Sequence, residues 1–536
     1  MRIATLSTVL LSAAALALAT ETVVEEDYVP RPLNETVKAL GLEEYVEDLP
    51  PLEKRDLTFR CHAACDILGI VLHSETQRPG SNAYTANKAS YWAQQQSSIS
   101  PECFIQVKSS LQIAIAITMS RLTQCPFAVR SGGHSDVPGA SNIEGGITID
   151  MSKLNEVSVS RDKSTVYIGA GAKWGDVYRT LDELELSVIG GRAASVGVGG
   201  LTLGGGMSYL SGREGFACDN VEAFKIMMAD GIVLNVKYNN FPDLYWALRG
   251  GGNNFGVVLG FTFRTFELGK MWGGMRVYPI NAKEAINQGL SSFNEDAAAD
   301  KDLAVITSFM YLQGNYVSTV IFDYAKPEPD PAILTAHFGN LQNYPKVVDT
   351  TRITNLTDLA IELGGGTPNG FRNQFTTATY KNSAELQNRM VDFFMEEVEN
   401  IKSKVSDISA LKPVIAFQPI PTTITSHMSK NGGNPLGLSP ADGPLLLVQF
   451  NWAWMSDQDD AVVLGAIDNI LNRSNALATQ MGLSNDYIYQ NYAAPNQKPF
   501  ASYGAENVKK LRKVQSKYDP CRVMERLQPG GFKLDQ

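Results

Sequence analysis

Apolar and polar positions along the chain repeat with two periods, one near two residues and one near three and a half. Four runs after residue 100, CFIQV, PFAVR, GGITIDM and TVYIGAG, are short, rich in β-branched and aromatic residues, and bounded by Gly, Pro, Ser or Asp. They read as strands. Between the first two, SSLQIAIAITMSRLTQC has the length and spacing of an amphipathic helix. WGDVYRTLDELELSVIGG reads as a helix closed by Gly190 and Gly191, and VEAFKIMMADGIVLNV as two strands joined at Asp230-Gly231. FPDLYWALRGGGNNFGVVLGFTFRTFEL predicts a short helix, a glycine turn and a strand. From about residue 268 to 484 glycine thins and longer helices, such as AVVLGAIDNILNRSNALATQMG, alternate with strands. AENVKKLRKVQSKYDPCRVM predicts an amphipathic helix ending in a Tyr-Asp-Pro turn. The divisions fall at a first unit over 60–267, a second over 268–484 and a closing segment over 485–536, with no internal repeat.

The first sixty residues differ from the rest. MRIATLSTVLLSAAALALATE carries one basic residue, Arg2, then an apolar run and Ala17-Leu18-Ala19. This is the design of a signal peptide over 1–19, too short to span a bilayer. Residues 20–59 are acidic and proline-punctuated and contain the dibasic pair Lys54-Arg55, which fits either a removable pro-segment or a solvated arm. A secreted destination agrees with sequons at Asn34, Asn355 and Asn472 and with six cysteines, expected to pair at least in part in an oxidising compartment. Their connectivity stays open, as fifteen pairings exist. CHAAC can be read as a metal site, but an oxidising compartment favours disulfides there, and no HExxH or CxxC occurs, so no metal is expected. A net charge of −10 and no Lys/Arg cluster exclude a nucleic-acid partner, and no second long apolar run points to a membrane.

Candidate chemistry concentrates in glycine turns. RSGGH, VGVGGLTLGGG and LRGGGNNFG lie within one stretch of the first unit. Glycine lets backbone N–H groups line a concavity and lets a flat ring approach the main chain, so repeated glycine turns suit a large phosphate-bearing cofactor. The order Gly197-Val198-Gly199-Gly200-Leu201 does not satisfy the dinucleotide fingerprint GxGxxG, and no Walker motif is present.

RSGGH, GGRAASVGVGGLTLGGGMSYLSGREGFACDNV, LYWALRGGGNNFGVVLGFTFR and QNYAAPNQKPFASYGAENVKKLRKVQSKYDP, in this order, resemble the berberine-bridge-like FAD-linked oxidases of the vanillyl-alcohol-oxidase, PCMH-type superfamily. The resemblance covers nearly everything after residue 60. It implies an α+β fold: a two-part FAD-binding domain, made of 60–267 and the returning segment 485–536, plus a substrate domain with an antiparallel sheet flanked by helices. It implies FAD as cofactor, bonded covalently through the histidine of the SGGH turn, here His134. Such a link raises the flavin potential and favours taking a hydride. Arg130, Ser131, Gly132 and Gly133 would cradle the pyrophosphate, with Ser135, Val196, Gly197, Gly199, Gly200, Gly204 and Asn491 completing the cofactor site.

Departures from the family pattern sharpen the expectation. Ala193 stands where doubly linked members carry a cysteine, and Cys218 does not match it, so a single link is expected. Met207 replaces an aromatic residue, and Leu447 a lysine that activates a tyrosinate in some relatives. Gln449 and Tyr492 match catalytic positions, Tyr492 as the base, though a free tyrosine needs activation to serve at neutral pH. Val196 matches a position that gates oxygen at the flavin and is small here, as in the oxidases. The expected activity is a secreted, monomeric oxidase that moves hydride from an alcohol or amine carbon to flavin N5, with dioxygen as acceptor. Met207, Leu447, Trp452 and Trp454 suggest an apolar secondary metabolite. The rival readings are a carbohydrate oxidase and a redox-neutral flavoprotein cyclase or metabolite binder.

Overall fold

The computed structural model describes residues 28–46, 49, 56–366 and 369–535. The signal-peptide reading and Lys54-Arg55 lie outside them. Among the described residues no helix is long and apolar enough to cross a membrane.

Two sheets build the first unit. Strands Cys103–Gln106, Ile147–Asp150 and Phe127–Arg130 pair in parallel, with Thr76–Gln77 antiparallel on the outer edge. A parallel pair needs a crossover, and helix Ser110–Thr123 supplies it, buried from Ile113 to Ser120 and closed by Gln124 in the left-handed region. Nearly continuous burial explains why its apolar stripe is so wide in sequence. The second sheet is antiparallel, ordered 157–159, 165–169, 257–264, 221–227, 233–236, and contains the hairpin expected at Asp230-Gly231, where Gly231 has φ +81°. One expectation is corrected: the helix begun at Trp174 stops at Asp182, and Leu186–Ser187 forms a short strand with Phe266–Glu267.

Helix Leu57–Leu72 is bolted to the first sheet by disulfides Cys61–Cys125 and Cys65–Cys103. The CHAAC spacing puts both thiols on one helical face. Closing loops of this length is worth about 4 kcal/mol each in the chain-entropy account. Cys218 is free and buried, Cys521 free and exposed. Residues 28–46 are docked: Val37, Leu40 and Leu42 join the first core, Tyr28 stacks on Tyr518, and the Arg31 amide donates to Asp230 at 2.8 Å. Along this stretch the chain is not a solvated arm.

The second unit is one antiparallel sheet whose long strands are Met271–Pro279, Asn315–Tyr324, Leu303–Leu312, Lys412–Ile420, Leu445–Trp454 and Arg372–Lys381, in spatial order. Side chains alternate between its faces. Val305, Phe309, Val320, Phe322, Ile415, Phe417, Phe450, Trp452 and Trp454 form a second core with helices Lys283–Asp296, Ala384–Ile401 and Asp460–Met481. The opposite face looks toward the first unit. Arg249 of the LRGGGNN motif ties the units together: fully buried, it pairs with Asp219 at 2.9 Å and donates to the carbonyls of Lys430 and Gly433, each at 2.7 Å. The closing segment returns to the first unit. Helix Ala505–Tyr518 contacts Asp243 through Lys517 and Tyr518, each at 2.8 Å, and the Leu527 carbonyl accepts from the Phe127 amide at 2.6 Å.

Candidate active site

Between the glycine turns and the free face of the large sheet lies a cavity of about 550 Å³. Strand Phe127–Arg130 delivers the SGGH turn to its wall, and Gly133 makes that turn at φ +70°. The turn crosses the second glycine loop backbone to backbone: a Cβ on Gly132 would lie 2.5 Å from the Gly197 nitrogen. Ser131 Oγ pins the crossing, donating to the Ala170 carbonyl at 2.6 Å and accepting from the Gly199 amide at 3.2 Å. Asn491 props the loop from behind, donating to the Leu201 carbonyl at 2.9 Å, with its Oδ1 in the space a Gly204 side chain would need. Gly200 has open space beside it.

His134 reaches the cavity from this turn, its ring stacked on Trp92 at 4.2 Å and 10°. Its Nε2 is buried with no hydrogen-bond partner. Burial pushes the imidazole down to about 4, so the ring is neutral and keeps a lone pair at physiological pH. Two residues on, Asp136 accepts from the Phe375 amide at 2.5 Å, joining the turn to the large sheet, and burial pushes its carboxyl up to about 7.

Tyr492 and Gln449 both line the cavity, and two further residues connect them. Nη2 of Arg192 donates to the Tyr492 oxygen at 2.7 Å and to Gln418 Oε1 at 2.6 Å. Gln418 in turn donates to Gln449 at 3.2 Å. Burial opposes the Arg192 charge, but the oxygens of Tyr492, Tyr209 and Tyr489 raise the guanidinium above its ordinary value. Phe375 packs edge-on against Tyr492 and tilted against Trp92, completing an aromatic wall from Tyr492 to His134.

Ser131, Gly132, Gly133, His134, Ser135, Val196, Gly197, Gly199, Gly200 and Asn491 therefore converge on one cavity, with Gly204 just behind it. Arg130 does not. Its guanidinium lies 3.9 Å over the Tyr91 ring and donates to Ser90 Oγ at 2.8 Å and to the Asn87 carbonyl at 3.1 Å. It underlies the turn rather than facing a phosphate. Trp452 and Trp454 are also misplaced by the sequence reading: they stand an odd number of residues from Gln449 and point into the second core. Leu447 shares the face of Gln449 but is buried outside the cavity, whereas Met207 lines it.

A FAD-binding domain family model matches residues 101–237. The chain is 41% identical over 488 residues to the FAD-dependent monooxygenase FUP4 of Fusarium proliferatum, covering 88% of this chain and 94% of that one. The FAD-dependent monooxygenase tpcD of Cochliobolus heterostrophus is also 41% identical, with 89% and 94% covered. The fold superposes on 6-hydroxy-D-nicotine oxidase from Arthrobacter nicotinovorans (TM-score 0.70, 20% identity, 86% and 98% covered). It also superposes on a BBE-like protein of Physcomitrella patens (TM-score 0.67, 19% identity, 86% and 97% covered). The chain shares its fold with the nicotine oxidase and the BBE-like protein, and it belongs to the same family as these fungal FAD-dependent enzymes. As a member of that family it is a FAD-dependent oxidoreductase, and the residues present suit the cofactor. The glycine crossing leaves a wall free of side chains, and the orphaned His134 nitrogen supplies an unused polar atom in that wall. Of the functional residues, Trp92, Asp136, Arg192 and Gln418 escaped the sequence reading. Arg192 and Asp136 sit inside the motifs GGRAAS and SGGHSD, next to positions already singled out.

Proposed function

We propose that the protein is a secreted oxidase that removes hydride from a carbon bearing an alcohol or amine on a small, mostly apolar molecule. FAD, when bound, supplies the hydride acceptor and the route by which electrons reach dioxygen, giving hydrogen peroxide. His134 holds it by a single covalent bond, for which a neutral, unpartnered imidazole is the appropriate nucleophile; Ala193 and buried Cys218 offer no second link. Tyr492 takes the proton from the substrate heteroatom. Arg192 fixes a positive charge at that oxygen, which Leu447 does not supply from the sheet side, and Gln418 and Gln449 orient the polar chain. Val196, on the cavity wall, leaves room for dioxygen.

The observation that carries this reading is the Arg192–Tyr492 contact, a proton acceptor with a built-in counter-charge inside a cavity walled elsewhere by Ile306, Met310, Ile321, Leu359 and Leu363. That apolar wall disfavours a sugar. The decisive experiment is anaerobic flavin reduction against a panel of apolar alcohols, amines and saccharides, followed by admission of dioxygen and peroxide measurement. Reduction by no alcohol or amine removes the proposal.

The relatives named monooxygenases support a second reading, in which one oxygen atom enters the product. Isotope-labelled dioxygen separates the two: label in product with less than one peroxide per turnover favours monooxygenation. Two disulfides fit an oxidising compartment. Asn34 and Asn472 are exposed, whereas the Asn355 side chain accepts from the Asp358 amide at 3.0 Å as a helix cap.

A further inference from the structure

The sheet wall of the cavity holds one acid that nothing in the chemistry above uses. Strand Asn315–Tyr324 presents Thr319, Ile321 and Asp323 to the cavity, at the alternation that sends Val320 and Phe322 into the second core. Asp323 is 1% exposed, and neither carboxylate oxygen has a hydrogen-bond partner. Native proteins rarely leave a carboxyl in that condition, because a buried acceptor without a donor costs stability. Its place is prepared by glycine: a Cβ on Gly273, across the strand pair, would lie 2.6 Å from Asp323 Oδ1.

The charges facing it decide what donor it takes. Glu362, on helix Leu356–Gly365, adds a second acid, but Arg352 pairs with Glu362 and Arg192 lies within electrostatic reach of Asp323. Asp358 also shares Arg352. Burial and then Glu362 push the Asp323 carboxyl well above the usual carboxylate range, which weakens its pull on a cation, while both its oxygens still lack a hydrogen-bond partner. The cavity that Asp323 lines also carries the apolar Ile306, Ile321, Met275, Leu359 and Leu363, beside the polar Thr319 and Tyr209, the latter within electrostatic reach of Asp323. We propose that Asp323 is a substrate-recognition residue whose carboxyl binds a hydroxyl on a neutral, otherwise apolar substrate. It sets which molecules enter and takes no part in moving the hydride or the proton. The proposal rests on the reading of the cavity as a substrate site.

The test uses purified holoenzyme and three probes of nearly equal size: p-ethylphenol, p-ethylanisole and p-ethylbenzylammonium, with dissociation constants from titration calorimetry. The wild type is expected to bind the phenol at least about tenfold more tightly than the ether, the scale of one good hydrogen bond to a carboxyl. Asp323→Leu should abolish that ratio, and Asp323→Asn should keep part of it. Both variants should melt no lower than wild type without ligand, since they remove an unsatisfied acid. Preference for the ammonium probe, an unchanged phenol-to-ether ratio in Asp323→Leu, no phenol binding, or a lowered melting temperature in both variants each overturns the proposal. Peroxide formation on reoxidation of dithionite-reduced holoenzyme, measured alongside, reports on the oxidase reading independently of Asp323.

Discussion

Replacing Gly132 with alanine isolates the contact on which the cofactor wall depends. Gly132 has no positive φ, so alanine adopts its backbone without conformational strain and the effect is purely steric. The new methyl would lie 2.5 Å from the Gly197 nitrogen and 2.6 Å from its Cα, against an ordinary contact of about 3.5 Å or more. One glycine loop must therefore move by about 1 Å, and neither neighbour is a flexible side chain. Overpacking of this kind costs about 1–3 kcal/mol. At roughly 2–4 °C per kcal/mol for a domain of this size, the melting temperature should fall by about 2–12 °C. The displaced loops carry His134 and Gly199, so flavin content should fall with it. Gly200→Ala is the matched control. It lies in the same loop with nothing in the protein within 4 Å of its added methyl, so the fold should be untouched while flavin content drops if the cofactor lies there. The assay is thermal melting together with the flavin-to-protein absorbance ratio. A Gly132→Ala protein with full flavin and an unchanged melting temperature would refute the reasoning.

Other expected outcomes are more direct. His134→Ala should release its flavin into the supernatant on acid precipitation while wild type retains it in the pellet; colour in both pellets excludes the histidyl link. Arg192→Met removes a charge-assisted bond to Tyr492 worth about 1.5–3 kcal/mol, so anaerobic flavin reduction by a competent substrate should slow by about 10- to 150-fold, with Arg192→Lys in between. Tyr492→Phe should slow the same step severely, and a near-normal rate takes Tyr492 out of the mechanism. Asp136 keeps its proton in the fold up to about 7, whereas an unfolded aspartate loses it near pH 3.9. The native state then binds more protons across that window, so stability falls as pH rises through it, by at most about 4 kcal/mol. Asp136→Asn should flatten that slope in urea melts at several pH values.

How much of this was legible before the structure depends on the kind of residue. The glycine loops and His134 were readable because turns that need missing side chains leave a local signature, and each follows a strand of clear period. The hairpin at Asp230-Gly231 and the long helix at 460–481 were readable for the same reason. Trp92 was not: it stands far upstream of His134 and meets it only through tertiary packing. Arg192 carries no signal of its partner, because Tyr492 is three hundred residues away and the contact depends on the closing segment folding back. Arg130 shows the converse. Its place in the RSGGH motif suggested a phosphate ligand, yet Tyr91, Asn87 and Ser90, none of them in the motif, claim the guanidinium. The tryptophans at 452 and 454 were misjudged by composition where parity along the strand already pointed the other way.

The routing of the chain around the cavity also sets a timetable. His134 comes from the first third, Asp323 and Gln449 from the inserted unit, and Tyr492, Gln528 and Phe532 from the tail. During synthesis the pocket lacks part of its wall until residues 528–532 have emerged, and the glycine turns must wait, half-built, for contacts distant in sequence to close over them. A deletion that takes Gln528 and Phe532 therefore removes part of the vessel rather than an appendage.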